Sequence, residues 1–179
     1  MIRMATPNDA AGCQTIYAPI VRETIVTYEV DPPSVEEMRR RIEAVLPLFP
    51  WLVDEQEGMI IGYAYGSQHR SRTAYQWSVE VSVYVHESHR RQGVGRRLCV
   101  ALLDRLRGQG YRTALAGIGL PNMASVELHR DIGFSHVGTY HNVGFKMGRW
   151  LDTDWWELSL QDLPDPPPAP RGASSMRGH

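Results

Sequence analysis

The chain has 179 residues, of which 42% are hydrophobic and 22% charged, which fits one globular domain with a sizeable core. A formal net charge of −1 argues against a protein that binds nucleic acid or membranes through bulk charge. Cys13 and Cys99 lie far apart and match no metal-ligand spacing, so we expect a reduced, cytoplasmic protein without a metal. The first ten residues lack the apolar stretch of a signal peptide.

The N-terminal third predicts a strand, two helices and a hairpin. Residues 2–5 predict the strand, and Thr6 followed by Pro7 is typical of the start of a helix. Ser34 and Glu37 are spaced as a capping box, which starts a second helix. The segment PWLVDEQEGMIIGYAYG then predicts two strands around a Glu-Gly turn.

Residues 77–85, with the sequence WSVEVSVYV, predict the strand that raises the question of function. Valine alternates with polar residues, so one face is apolar and the other carries Glu80. From alternation alone, Glu80 is most simply a solvated carboxylate on the wet face of an antiparallel strand. If both faces of the sheet are covered, that interpretation loses support.

The rest of the chain predicts a helix after RRQGVGRRL, a strand, a short helix and two final strands. The complete order is β-α-α-β-β-β-α-β-α-β-β. This order predicts one α+β domain over residues 1–160, with helices on both faces of one mixed sheet. Residues 161–179 are rich in Pro, Gly and Ser, and their composition predicts a disordered tail.

The loop RRQGVGRRL lies between a predicted strand and a predicted helix, where free backbone N–H groups and the helix dipole favour an anion. Gly93 and Gly95 would let a phosphate approach the backbone, and the arginines add charge, so the implied ligand is a pyrophosphate. The spacing fits neither a Walker A loop nor the G-x-G-x-x-G dinucleotide motif. A glycine-rich turn with a solvated basic cluster is the simpler alternative.

The motif R-x-x-G-x-G from Arg90 to Gly95 resembles the acyl-CoA pyrophosphate loop of the GNAT N-acetyltransferases. The segments FPWLV, RTAYQWSVEVSVYV, IGLPNMASVELH and GFKMGRWLD resemble one branch, the phosphinothricin and methionine sulfone/sulfoximine acetyltransferases. Phe49 and Phe145 depart from that branch, which often has Tyr at these two positions. Cys99, in the helix after the loop, is a further departure. The resemblance implies the GNAT fold, a mixed and mostly antiparallel twisted sheet with helices on both faces.

The same resemblance implies transfer of acetyl from acetyl-CoA to a primary amine. An amine that is protonated at neutral pH cannot attack a thioester, so a base must take its proton. Glu80 matches the family carboxylate on the strand before the loop, and we expect it to be this base, directly or through a water. His129 lies where many members of the family have Tyr. We expect it to act as a second base, as a proton relay, or as a proton donor to the leaving CoA thiolate. Simple packing within its helix is the alternative.

A cofactor site is implied along the strand end and the glycine loop. Backbone groups of the strand would hold the pantetheine arm, and the loop would hold the pyrophosphate. Asn122 would contact the cofactor arm, with helix capping as the alternative. The residues expected to contact acetyl-CoA are Val83, Tyr84, Val85, Arg90, Arg91, Gln92, Gly93, Val94, Gly95, Arg96, Arg97, Asn122 and Ser125.

An amino-acid analogue carries a carboxylate, which an arginine fork can bind with two hydrogen bonds. The expected substrate-binding residues are Tyr28, Arg70, Arg72, Tyr75 and Lys146. Solvated loop arginines and ordinary core packing of the tyrosine are the alternatives. The resemblance also implies a homodimer, with Lys146 near the subunit interface.

These expectations describe an enzyme that acetylates the α-amino group of small analogues such as methionine sulfoximine, methionine sulfone and phosphinothricin. The alternative is a GNAT enzyme for another amine, such as a protein N-terminus, a polyamine or another metabolite. The three analogues carry tetrahedral groups, and no residue in the sequence separates them. Neither a nucleic-acid nor a membrane partner is expected.

Overall fold

The structure, a computed structural model, describes residues 1–173, and its elements follow the predicted order. The strands are β1 (Ile2–Met4), β2 (Trp51–Gln56), β3 (Met59–Gln68), β4 (Ser78–Val85), β5 (Thr113–Gly119), β6 (Ser135–Lys146) and β7 (Arg149–Ser159). The helices are α1 (Ala10–Glu23), α2 (Val35–Val45), α3 (Val94–Gln109) and α4 (Met123–Ile132).

Local start and stop signals account for several of these bounds. The Ser34 hydroxyl accepts a hydrogen bond from the Glu37 backbone N–H at 3.1 Å, which starts α2 as predicted. Glu57 and Gly58 both have positive φ in the turn between β2 and β3. Gly133 adopts the left-handed conformation that ends α4.

All seven strands form one sheet in the order β1-β2-β3-β4-β5-β7-β6. Within residues 1–173, only β4 and β5 are parallel neighbours, and the other five pairs of strands are antiparallel. The β4–β5 ladder ends where Glu80 lies opposite Leu115, although β4 runs on to Val85 and β5 to Gly119. The two strands therefore separate beyond Glu80 and leave a gap in the sheet.

Helices cover both faces of the sheet, as predicted. Leu98, Leu102 and Leu106 of α3 form one apolar core together with Val79 and Val81 of β4. On the other face, α1 and α2 form a second core with β2 and β3, and its buried members include Ile16, Met38, Ile42, Trp51, Val53 and Tyr63. Since side chains alternate along a strand, Glu80 points to the face that α1 and α2 cover in part.

Residues 161–173 are not the unattached tail that their composition predicts. Gln109 at the end of α3 donates from Nε2 to the Arg171 carbonyl at 2.7 Å, and the Arg171 N–H donates to the Gln109 carbonyl at 2.8 Å. Proline leaves many carbonyls without a local donor, and here side chains of the domain supply donors. Residues 174–179 of the predicted tail lie outside the described residues, and the domain boundary at residue 160 stays a prediction.

Candidate active site

Three cavities lie along the gap between β4 and β5. The first, of about 380 Å³, is lined by Glu80, Tyr28 and Trp155 among others, and we call it the Glu80 cavity. The second, of about 250 Å³, is lined by residues that include Arg90 and Gly95, and we call it the loop cavity. A third, of about 50 Å³, shares lining residues with both and so lies between them along β4.

Glu80 has a partner that the sequence analysis missed. His69 Nδ1 lies 2.8 Å from Glu80 Oε1, and the His69 side chain is only 14% exposed. His69 directly follows β3, whose Ser67 pairs with Glu80 across the ladder. The polar segment SQHRS gives no local signal for this contact, which could have been predicted only from the register between β3 and β4. The Glu80 side chain is 30% exposed and lines a cavity, so the interpretation as a freely solvated carboxylate does not hold.

His129 is buried in α4 and lines the smallest cavity. Its Nδ1 lies 2.8 Å from the Ser125 carbonyl, which can only accept, so Nδ1 carries the proton. Burial lowers the pKa of His129 below the ordinary 6.5, and the ring is neutral at neutral pH. Nε2 is buried and has no hydrogen-bond partner within residues 1–173. A neutral ring with a free Nε2 can accept a proton but has none to give from that atom.

The glycine loop presents backbone N–H groups at the start of α3. Gly93 is the N-cap residue with φ of +75°, and no side chain caps this helix end. Arg91 also has a positive φ, of 60°. Such a turn directs successive N–H groups outward and suits a phosphate group. Arg90 and Gly95 line the loop cavity, which places this end of α3 beside it.

Three of the residues expected to contact the cofactor also make side-chain contacts within the protein that hold the loop. Arg97 donates to Asp54 Oδ2 and to the Gln92 carbonyl, each at 3.0 Å. Gln92 Nε2 donates to the Ser88 carbonyl at 3.0 Å. The Val94 side chain is only 2% exposed and belongs to the core around α3. All four loop arginines, Arg90, Arg91, Arg96 and Arg97, are exposed, and Arg97 is the one whose side chain is held by an ion pair within residues 1–173.

The end of β4 offers its backbone to the loop cavity, whereas the Tyr84 ring packs against a neighbouring helix. Val83, Tyr84 and Val85 have no ladder partner on the β5 side, and all three line the loop cavity. The Tyr84 ring packs edge-on against Tyr17 of α1, with ring centres 5.0 Å apart. The backbone of β4 is therefore what an extended ligand in the gap can pair with.

Asn122 and Ser125 lie where the small cavity and the loop cavity meet, since both residues line both. Asn122 Oδ1 accepts a hydrogen bond from the Ser125 N–H at 3.3 Å and caps α4. The two interpretations of Asn122 are compatible, because the capping residue also lines the cavity wall.

Tyr28 forms a fixed wall of the Glu80 cavity. Its hydroxyl donates to the Asp152 carbonyl at 2.9 Å and lies 2.6 Å from Thr153 Oγ1. The ring passes close to Gly119 and Gly144, and a Cβ at Gly144 would lie 2.9 Å from it. Only glycine fits beside the ring at this point.

The other expected substrate contacts lie outside the lining of the Glu80 cavity. Arg70 and Arg72 are exposed on the loop between β3 and β4. Tyr75 of the same loop packs edge-on against His69, with ring centres 5.8 Å apart, which brings the loop next to the partner of Glu80. Lys146 is buried; its ammonium donates to the Thr27 carbonyl at 2.8 Å, and burial lowers its pKa. Lys146 thus anchors a wall of the cavity instead of facing into it.

Comparison with known proteins decides the family. The family model described as "Acetyltransferase (GNAT) domain" matches residues 2–155. The chain belongs to this family. It is 37% identical to phosphinothricin N-acetyltransferase of Streptomyces viridochromogenes over 93% of this chain and 90% of that protein. It is 36% identical to L-methionine sulfoximine/L-methionine sulfone acetyltransferase of Salmonella typhimurium, over 90% and 95% of the two chains.

Among solved structures, the chain is similar to a GNAT superfamily phosphinothricin acetyltransferase from Sinorhizobium meliloti in complex with AcCoA. The TM-score is 0.86 at 38% identity, covering 89% of this chain and 87% of the other. The GNAT fold is therefore confirmed, and the protein is an acetyl-CoA-dependent N-acetyltransferase. Within residues 1–173 no helix has the length and hydropathy to cross a membrane, and no three His, Cys, Asp or Glu residues are placed to hold a metal ion.

Proposed function

We propose that this acetyltransferase acts on the α-amino group of small amino-acid analogues, with methionine sulfoximine, methionine sulfone and phosphinothricin as the candidates. One observation carries the proposal: Glu80 lines a cavity of about 380 Å³ at the point where β4 and β5 separate. A cavity of that size suits a small molecule. The similarity to enzymes named for these substrates supports the choice.

In the proposed reaction, Glu80 takes one proton from the substrate ammonium, directly or through a water. The free amine then attacks the thioester carbonyl, so an N–C bond forms and the C–S bond breaks, and the electron pair stays on sulfur. The second proton lost by nitrogen neutralises the thiolate. Glu80 returns its proton to solvent, and the carboxylate is ready for the next turnover.

His129 is the proposed relay for that second proton. Its ring is neutral, its Nδ1 proton is held by the Ser125 carbonyl, and its Nε2 has no partner within residues 1–173. A ring in this state has to accept a proton at Nε2 before it can pass one to sulfur. A relay is therefore favoured over an acid that is already protonated before the reaction.

We propose that acetyl-CoA lies along the gap, with its pantetheine arm on the unpaired backbone of β4 and its pyrophosphate at the start of α3. The open N–H groups after Gly93 and the exposed Arg90, Arg91 and Arg96 fit a phosphate in charge and geometry. Arg97 contributes indirectly, because its ion pair with Asp54 fixes the first turn of α3.

For the amine, we propose that Tyr28 shapes the cavity and that the loop with Arg72 and Tyr75 binds the substrate carboxylate at its rim. The contact between Tyr75 and His69 supports this position for the loop. Arg70 is a second candidate on the same loop. Lys146 serves by fixing the backbone at Thr27, which lines the cavity.

We also propose a homodimer formed through the β6–β7 face. The outermost strand β6, the β6–β7 turn and the start of β7 expose a group of large apolar residues, each 49–62% exposed: Tyr140, Val143, Phe145, Met147 and Trp150. Such a patch on a small protein is typical of an interface. Tyr140 and Val143 also line the Glu80 cavity, so the interface would border the site. Sedimentation should show two copies of the 20.3 kDa chain, and a wild-type monomer would contradict the proposal.

The test of function is a thiol-release assay with acetyl-CoA across a panel of amines. We expect methionine sulfoximine, methionine sulfone or phosphinothricin to be acetylated with the highest kcat/KM. Peptides with free N-termini and polyamines complete the panel. Robust transfer to a peptide or polyamine, with none to the three analogues, would overturn the proposed substrate class and favour the alternative amine.

A further inference from the structure

The contact between His69 and Glu80 is built by the register of β3 and β4. Ser67 lies opposite Glu80, and His69 is two residues further along the same chain. Residues two apart share one face, so His69 and Glu80 are diagonal neighbours across the ladder. The strand register thus places His69, one residue past the end of β3, where Nδ1 lies 2.8 Å from Oε1.

The imidazole is held in place from two sides. It packs edge-on against Tyr75 at 5.8 Å and against Trp155 at 6.1 Å between ring centres. Its side chain is only 14% exposed. A ring fixed in this way presents Nδ1 to the carboxylate in one orientation.

The arrangement distinguishes the two oxygens of Glu80. Oε1 meets the imidazole, whereas Oε2 makes no protein hydrogen bond within residues 1–173. A carboxylate on a flexible side chain would otherwise rotate and be bonded by water at either oxygen. A fixed donor at Oε1 leaves Oε2 as the oxygen available to a proton from the cavity.

We infer that His69 is a positioning residue for the acetyl transfer, and that it holds Oε1 of Glu80 so that Oε2 faces the amine. This inference rests on the proposed role of Glu80 as the base. His69 acts only through the carboxylate and touches no reacting atom. The position of the base strongly affects the rate, because a displacement of a catalytic group by about 1 Å can lower the rate about 100-fold.

Two substitutions separate the hydrogen bond from the packing. His69→Phe keeps a ring between Tyr75 and Trp155 but removes the donor. His69→Asn loses the ring but can place an amide N–H close to the position of Nδ1. We expect kcat to fall about 10-fold in His69→Phe and less in His69→Asn, with KM for acetyl-CoA unchanged in both.

A double-mutant cycle with Glu80→Gln tests whether the effect passes through Glu80. We expect His69→Phe to have little effect on kcat once Glu80 is replaced. Wild-type kcat in His69→Phe, or a loss in His69→Asn as large as in His69→Phe, would overturn the inference.

The rates are measured with whichever amine the panel shows to be acetylated, so a wrong substrate class does not appear as a failure of His69. The hydrogen bond is also read without turnover, by the ¹⁵N shift of His69 Nδ1. We expect Glu80→Ala to move this signal, and an unmoved signal would contradict the inference.

Discussion

The two ends of the active site are built in different ways. At the loop end, the groups available to a ligand are largely backbone: the N–H groups after Gly93 and the unpaired edge of β4. At the cavity end, they are side chains brought together from distant segments, such as Tyr28, Glu80 and His129. A backbone site tolerates many side-chain changes but few changes of φ, whereas a side-chain site behaves in the opposite way.

Replacing the carboxylate gives the largest effect expected at the cavity end. Glu80→Gln should lower kcat by about 100-fold or more, because the amide cannot take the ammonium proton. Binding of acetyl-CoA, measured by calorimetry, should be unchanged, since the proposed contacts to its pyrophosphate and pantetheine arm lie away from Glu80. Near-normal kcat would exclude Glu80 as the base.

A change of backbone freedom tests the loop end, and the chain offers a matched control. Gly93 has φ of +75° and Gly58 has φ of +78°, so alanine strains both by about 1 kcal/mol. Gly93→Ala should weaken acetyl-CoA binding by about 10-fold, because the N–H groups of α3 shift. Gly58→Ala should leave that affinity unchanged, and equal losses in both variants would contradict a backbone-built site.

A smaller effect is expected from crowding the wall of the Glu80 cavity. A Cβ at Gly144 would lie 2.9 Å from the Tyr28 ring, whereas one at Gly138 on the same strand meets nothing within 4 Å. Gly144→Ala should raise KM for the amine about 3- to 10-fold, as expected for a small change of pocket shape. KM for acetyl-CoA should not change, and Gly138→Ala should change neither. An unchanged KM for the amine in Gly144→Ala would remove Tyr28 from the site.

The smallest effect expected is on stability, and it comes from His129. Burial lowers its pKa in the folded protein below 6.5, so the unfolded chain takes up that proton more readily. Stability should therefore fall as the pH drops below about 6.5. In His129→Phe, the decline of Tm between pH 7.5 and pH 5 should be shallower. An identical slope in both proteins would mean that His129 is protonated as easily when folded as when unfolded.

Local patterns were enough to predict the order of the elements and the position of the glycine loop between β4 and α3. Alternation placed Glu80 on the polar face of its strand, and the glycine loop lay directly between a strand and a helix. The family resemblance added the proposed roles of Glu80 and His129, which local patterns alone do not contain. These residues could be found because their signals lie within a few positions along the chain.

The contacts that the sequence did not reveal are non-local. His69 lies next to Glu80 because of the strand register, and Arg97 forms an ion pair with Asp54, which is 43 residues away. The Pro-rich segment resembles a free tail in composition, yet residues 161–173 bond to the domain through Gln109. A single sequence carries no pairing information of this kind, so such partners appear only in the fold.

The separation of β4 from β5 also sets a length requirement on the acyl donor. From Val85 beside the glycine loop to Glu80 is five residues, or about 17 Å of extended chain. In the proposed reaction, a donor anchored at the loop has to span that distance to bring its acyl group to Glu80. The length of β4 between the loop and Glu80 thus favours a long acyl donor. A short donor such as acetyl phosphate could occupy one end of the gap but not both.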